Sequence, residues 1–195
     1  MARPKRQIRY PEIVKVAAVL ISRNGYKETS CQEIAERAGI HKSTFFYYFR
    51  NKEELLLRIL ETSIDEVSSD LKKIINNNEL KPEEKLKKAL DNHLISMIGY
   101  LDNVNIYFYE SRNLPEQYKK IYIKKRKKYE KYFKRIMEEM KASGYFSGLD
   151  TKIVTFCLLG MLNWVPKWYK NEGSFNIKQI SDIFYKVITK TASKG

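Results

Sequence analysis

The chain has little punctuation. Its 195 residues include only eight glycines and five prolines. Long runs therefore pass without a breaker, and none shows a convincing strand pattern. Its two cysteines, Cys31 and Cys157, lie far apart and outside any C-x-x-C spacing. They read as free thiols of a reducing compartment rather than a disulfide or metal framework. There are only two histidines, His41 and His93. With no nucleophile motif, no phosphate-cradling glycine loop and no metal-ligand spacing, the residues give no support to an enzyme. No apolar run reaches the roughly 18 residues that a membrane span needs. The stretch "MARPKRQIRYPE" is basic but lacks the apolar core of a signal peptide, so the expected location is the cytoplasm.

What is present is helix-forming and basic. Hydrophobic residues make up 43% and charged residues 31%, the balance of a soluble globular protein of one or two domains. Thirty-seven Lys and Arg stand against 23 Asp and Glu, a net charge of +14. Such an excess suits a polyanionic partner, and equally a lysine-rich solvated surface. It becomes informative only where it clusters.

Residues 1–9 carry Arg3, Lys5, Arg6 and Arg9 without an acid and read as a basic arm. Pro11 then opens a helix with Ile13, Ala17, Leu20 and Ile21 on one stripe, and Asn24-Gly25 ends it. Ser30 and Glu33 form a capping-box pattern at the start of a short helix that Gly39 stops. A third short helix covers 42–48. Asn51 and Glu54 make a second box before a long helix over 52–75. After "NNNELKP" come helices expected at about 83–101, 104–113, 115–142, 150–170 and 176–191. The expectation is an all-α protein of about nine helices. Residues 1–51 would form the arm and a three-helix domain; 52–195 would form a helix bundle, with 52–75 linking the two.

Helices 31–38 and 42–48, joined by Gly39-Ile40-His41, have the spacing of a helix-turn-helix. Ile13, Ala17, Leu20, Ile34, Ala38, Ile40, Phe45 and Phe49 can supply its core. Five consecutive aromatics, Phe45 to Phe49, run through the second helix and one residue past it. At about 100° per residue, Phe45 and Phe49 share a face and Tyr47 lies nearly opposite. Lys42, Ser43, Thr44, Phe46, Tyr47 and Tyr48 are left outside. These types suit a DNA groove: lysine for phosphate or guanine, hydroxyls for either, an aromatic ring for a thymine methyl. Lys52 would present its ammonium and a helix N-terminus to phosphate.

"TSCQEIAERAGIHKSTFFYYFRNKEELL" resembles the DNA-binding signature of the TetR family of bacterial repressors, over roughly residues 10–60. The resemblance implies a recognition helix starting at Lys42, Ser43 and Thr44. Phe46, Tyr47 and Tyr48 would be its groove and backbone contacts, with Cys31 and Lys52 flanking phosphates. Phe46 stands where the family usually has tyrosine, so Tyr47 and Tyr48 become the hydroxyl carriers. His41 replaces a frequent capping serine, and Cys31 the phosphate-contacting threonine of some members.

Beyond residue 75 the chain is read by itself. Met97, Tyr100, Tyr107, Phe108, Tyr129 and Phe133 are bundle-core types that also suit an apolar ligand cavity between helices. Arg112, His93 and Glu110 are the polar candidates beside them. "KKIYIKKRKKYEKYFKR" is a solvated face or a phosphate-binding mouth. "CLLGMLNWVPKWYKNEG" is apolar nearly all round, with Pro166 expected to kink it. In the resembled family the last two helices form a two-fold dimer seam. The "GMLNW…W" segment is further similar to family members that sense acyl-CoA, which adds Met161, Trp164 and Trp168 to the ligand candidates. The resemblance implies a homodimeric repressor on double-stranded operator DNA, released by a small apolar effector such as an acyl-CoA or a fatty acid, with no cofactor, metal or membrane partner. Alternatives are an efflux-pump regulator responding to aromatic or cationic drugs, and a non-specific DNA-binding module.

Overall fold

The computed structural model describes residues 10–191, with side chains to Lys190. The basic arm expected over 1–9 lies outside them. Among the described residues there are nine α-helices and no strand: α1 (Tyr10–Asn24), α2 (Cys31–Arg37), α3 (Lys42–Tyr48), α4 (Lys52–Ile75), α5 (Pro82–Gly99), α6 (Leu101–Glu110), α7 (Glu116–Ala142), α8 (Thr151–Trp164) and α9 (Ile177–Thr191). Single 3-10 turns follow α6 and α8, at Ser111–Asn113 and Val165–Lys167.

The contacts gather into two compact units. One runs to Ser63 and takes in Asp102–Ile123; the other holds Ile64–Leu101 and the chain from Lys124 onward. The division differs from a boundary at 51/52 because the first turns of α4 bury Leu55, Leu56, Ile59 and Leu60. In the same unit, Asn103 of α6 donates from Nδ2 to the Ile59 carbonyl at 2.7 Å.

In the first unit, α1 ends at Gly25, whose φ of 90° favours glycine, and its N–H bonds the Ile21 carbonyl. Gly39, at φ 69°, makes the sharp turn between α2 and α3. Ser30 caps α2, its hydroxyl accepting from the Glu33 N–H at 3.0 Å, while the Glu33 carboxylate accepts from Asn24 Nδ2. Before α4, Asn51 Oδ1 accepts from the Glu54 N–H, and Glu54 reaches back to the Arg50 N–H. The core is Ile13, Val14, Ala17, Ala18, Ile21, Ile34, Ala35, Ala38, Phe45 and Phe49, all buried. Leu20 and Ile40, expected there, are only half-buried. Ile13, Ala17 and Ile21 hold the predicted face of α1, and Val14 and Ala18 widen it on the side away from Leu20.

In the second unit α5 packs along α9, and α8 also contacts α5. Lys87 of α5 reaches Asp182 (2.8 Å) and Ser181 (3.4 Å) on α9. Lys85 is buried, pairs with Glu139 of α7 at 2.8 Å and donates to the Ile75 carbonyl. The reciprocal box of Asn176 and Gln179 caps α9 through two 2.9 Å bonds.

Two expected features moved. The helix break predicted at Asp102-Asn103 falls at Tyr100, where φ is −117° and ψ 40°. Asn103 is instead buried in α6, because its amide can hydrogen-bond α4. Pro166 does not merely kink a helix over 150–170. It lacks a donor N–H, so α8 stops at Trp164 and the chain continues as a 3-10 turn.

Candidate DNA-reading face and effector core

The recognition face is built on α3, seven residues long and too short to persist alone. Phe45 is fully buried and Phe49 nearly so, their centroids 5.4 Å apart. That anchor turns the opposite side of α3 outward. Tyr47 is 83% and Phe46 47% exposed. Lys42 and Ser43 are exposed; Thr44 and Tyr48 are half-buried. Phe46 still touches Phe45 edge-on at 5.3 Å, so its outer edge alone is available. Tyr48 is flanked by Tyr47 at 5.3 Å and Tyr10 at 6.1 Å.

Lys52 behaves differently from the expectation that aimed its ammonium at phosphate. Its Nζ donates to the Tyr26 carbonyl at 2.8 Å and the Thr29 carbonyl at 2.9 Å, and sits 4.3 Å from the centroid of the Tyr26 ring. Two of the three ammonium protons therefore hold the α1–α2 loop. Cys31, half-exposed in the first turn of α2, lies within the field of both Lys52 and Lys42. Burial nevertheless outweighs them and raises its pKa, so it presents a neutral S–H.

Two contributors escaped the sequence reading. Tyr10 stacks on Phe49 at 5.2 Å as well as on Tyr48, tying the start of α1 to the end of α3. Its signal was a lone aromatic at the helix start. Glu61 is buried and accepts from Arg58 Nη1 at 2.8 Å, while Arg58 also faces Glu54. The i,i+3 and i,i+4 spacing around Arg58 was the legible cue.

The ligand candidates separate into distinct places. In the first unit, Tyr107 sits 5.0 Å from Phe108 and 6.0 Å from Tyr122, and Arg112 is exposed. In the second unit, Tyr129 and Phe133 are buried together with centroids 5.4 Å apart. His93 of α5 completes that cluster, 5.9 Å from Tyr129 and 5.8 Å from Phe133, with Nδ1 2.8 Å from the Tyr129 hydroxyl. Burial lowers the His93 pKa to about 4, and Asn163 of α8, beside the ring, opposes the shift. Burial also drives the Tyr129 phenol upward. Met97 is half-buried on α5, and the Tyr100 hydroxyl bonds the Glu66 carboxylate.

Met161 belongs to a different feature. It lines an apolar groove of about 480 Å³ with Phe146, Leu149, Ile153, Cys157, Leu158 and Val187 on α8, α9 and the loop before α8. Phe146 reaches it from a left-handed backbone conformation, φ 56°. Trp164 and Trp168 do not join the buried cluster: they are 63% and 46% exposed, and Phe156 of α8 and Ile183 of α9 are exposed too.

The basic run on α7 is partly neutralised. Lys125 pairs with Asp65, Arg126 with Glu130, Lys134 with Glu138 and Arg135 with Glu139. Lys124, Lys127, Lys128 and Lys131 are exposed along its outer side. No helix among the described residues is long and apolar enough to cross a membrane.

These features define a helix-turn-helix DNA-binding protein with a helical second unit. The profile of bacterial regulatory proteins of the tetR family matches residues 13–59, and that of the tetracyclin repressor-like C-terminal domain matches residues 79–192. The chain belongs to the TetR family of transcriptional regulators. It is 24% identical over 187 residues to the HTH-type transcriptional repressor KstR2 of Mycobacterium tuberculosis, covering 91% of this chain and 89% of that protein. It is 22% identical to the fatty acid metabolism regulator protein of Bacillus subtilis, covering 91% and 92%. Its fold is similar to that of AibR in complex with isovaleryl coenzyme A and operator DNA, with a TM-score of 0.81, 26% identity, and 92% and 97% of the two chains covered. PfmR of Thermus thermophilus is similar with a TM-score of 0.82 at 22% identity, over 91% and 97%.

Proposed function

We propose that the protein is a homodimeric repressor that places α3 in the major groove of operator DNA and leaves it when the second unit binds an acyl thioester. The observation that carries the DNA reading is the outward face of α3. A helix of seven residues is anchored by Phe45 and by Phe49 just beyond its end, and leaves Tyr47 83% exposed, with Lys42 and Ser43 also exposed. Rings and hydroxyls so placed can meet thymine methyls and phosphate oxygens. The backbone amides at the start of α4 add a phosphate contact, with Lys52 bracing the loop beneath.

The outward apolar surface of α8 and α9 supports the dimer. Ile153, Phe156, Trp164, Ile183 and Val187 are all more than 40% exposed. Apolar side chains gathered on two helices mark an interaction site rather than ordinary scatter. A second copy of the same surface is the simplest partner, since two-fold contacts are self-complementary. Two recognition helices would then read half-sites about one DNA turn apart.

The acyl-thioester reading draws on the relatives: a fatty acid metabolism regulator and a repressor crystallised with isovaleryl coenzyme A. An effector that binds better to a DNA-incompetent conformation shifts the population and releases the operator. Footprinting on the DNA upstream of the protein's own gene, with and without a series of acyl-CoA esters, tests the reading. Protection that survives both Tyr47→Ala and every ester would refute it.

A further inference from the structure

Among the described residues, two buried side-chain polar atoms lack a hydrogen bond, the Tyr26 hydroxyl and His93 Nε2. The Tyr26 hydroxyl has the Glu53 carboxylate beside it. His93 lies in the second unit, 5% exposed, between Tyr129 and Phe133 of α7, with Asn163 of α8 alongside but outside hydrogen-bond geometry. A buried polar atom left unpaired is rare enough to require an explanation.

The protonation pattern follows from counting partners. His93 Nδ1 and the Tyr129 hydroxyl are 2.8 Å apart, and one of them donates. If the imidazole donates from Nδ1, the Nε2 lone pair is unpaired and the buried phenol needs another acceptor for its proton. If the phenol donates to Nδ1, only Nε2–H lacks a partner. The second arrangement leaves fewer desolvated orphans and is therefore favoured. Burial keeps both groups neutral, lowering His93 and raising Tyr129. The result is a fixed, uncharged N–H donor beside two aromatic rings and the Asn163 side chain.

We propose that His93 Nε2–H is the anchor for a neutral carbonyl oxygen of the effector, with Tyr129 as the positioning residue that fixes its tautomer and Phe133 as an apolar wall. This rests on the acyl-thioester reading and narrows it to one bond. A thioester, ester or ketone oxygen accepts from such a donor without bringing charge into the core. A free carboxylate would bring a charge there without a cation to meet it. Tyr129 and Phe133 then act with His93, while Trp164 and Trp168 belong to the outward surface.

The test compares octanoyl-CoA with S-octyl-CoA, a thioether of nearly the same shape that lacks the carbonyl. Affinities are measured by calorimetry on the full chain. Wild type should bind the thioester at least tenfold more tightly, and His93→Phe should reduce that ratio to near one. His93→Gln, which keeps an N–H, should restore part of it. In Tyr129→Phe the imidazole ¹⁵N shifts should change, because Nδ1 loses its donor. A thioester preference unchanged in His93→Phe overturns the inference and leaves the repressor reading standing. If wild type binds neither compound, nor isovaleryl-CoA or palmitoyl-CoA, the effector reading fails. His93 is then decided on the apo protein. A melting temperature for His93→Phe/Tyr129→Phe equal to or above wild type keeps the pair as a binding device. A large fall, or a buried water only on Nε2, makes it scaffolding and overturns the proposal.

Discussion

Lys52→Met separates two jobs that one lysine could do. In the structure its ammonium donates to the Tyr26 and Thr29 carbonyls and lies over the Tyr26 ring. Both residues are buried, Thr29 completely. Methionine keeps the stem and removes the charge. Hydrogen bonds from a charged donor contribute about 1.5–3 kcal/mol each, and a cation–π contact about 0.5–1. Lys52 is partly exposed, so water replaces some of what is lost. The net destabilisation should be about 2–3 kcal/mol. For a chain of this size that is a fall in Tm of about 4–12 °C. Thermal melts and urea titrations measure it. The second readout is the salt dependence of operator affinity. A lysine that contacts phosphate contributes about 0.9 to the slope of log K against log salt, and its loss removes that much. The bracing role predicts a lower Tm and a nearly unchanged slope once the protein is folded. An unchanged Tm with a slope reduced by about one would refute the reasoning and return Lys52 to the phosphate.

Phe45→Ala empties a fully buried site and should destabilise the first unit by about 3–5 kcal/mol, whereas Tyr47→Ala, 83% exposed, should stay within about 0.5 kcal/mol yet weaken operator binding several-fold; urea titration and fluorescence anisotropy check the pair. His93 has its folded pKa lowered from 6.5 to about 4, so the unfolded chain binds the extra proton first. Its contribution, about 3 kcal/mol, should be complete above pH 6.5 and disappear as pH falls to 4. In urea titrations across that window wild type should lose about that much stability relative to His93→Phe, which carries no titrating group, whatever the offset between them at neutral pH. Trp164→Glu should place a charge on the proposed dimer surface and shift sedimentation from twice 23.1 kDa toward 23.1 kDa, with loss of operator protection.

The elements that could be read in the sequence were those specified by neighbours along the chain. Gly25, Gly39, Ser30 and Asn51 act through backbone φ or a bond three residues away, and each ends or starts a helix where expected. The split of the aromatics on α3 was legible for the same reason, since helical phase is local. What failed needed partners distant in sequence. The break at Tyr100 falls ahead of Asp102-Asn103 because Asn103 finds the Ile59 carbonyl, 44 residues away. Lys52 turns inward because two carbonyls of the α1–α2 loop converge on it, and no spacing rule announces them. Trp164 and Trp168 carry the same apolar signal as Tyr129 and Phe133. Only packing shows that one pair faces out and the other in. Asn163 is the polar residue in an otherwise apolar stretch of α8. Its place beside His93 depends on α5 and α8 coming together.

The five consecutive rings from Phe45 to Phe49 are better understood as a division forced by length. Seven residues give two helical turns, too few for the helix to hold itself. Stability must come from burial, and two large rings provide it, Phe45 within the helix and Phe49 in extended backbone just after it. Tyr10 then covers Phe49 and Tyr48 from the side, so the helix is clamped at its C-terminal end as well as beneath. Rigid clamping has a consequence for recognition. On the proposed DNA reading, Tyr47 and Phe46 would enter a groove from a fixed backbone, with rings that have few rotatable bonds to immobilise on binding. The missing hydroxyl at Phe46 is consistent with this arrangement, because that ring leans edge-on against Phe45 and shares itself between core and surface. A hydroxyl reaching phosphate must therefore come from Tyr47, which is open, or Tyr48, which is braced on two sides. On that reading Tyr47 would have the freedom to follow the backbone of the DNA, and Tyr48 the rigidity to set the angle at which α3 meets it.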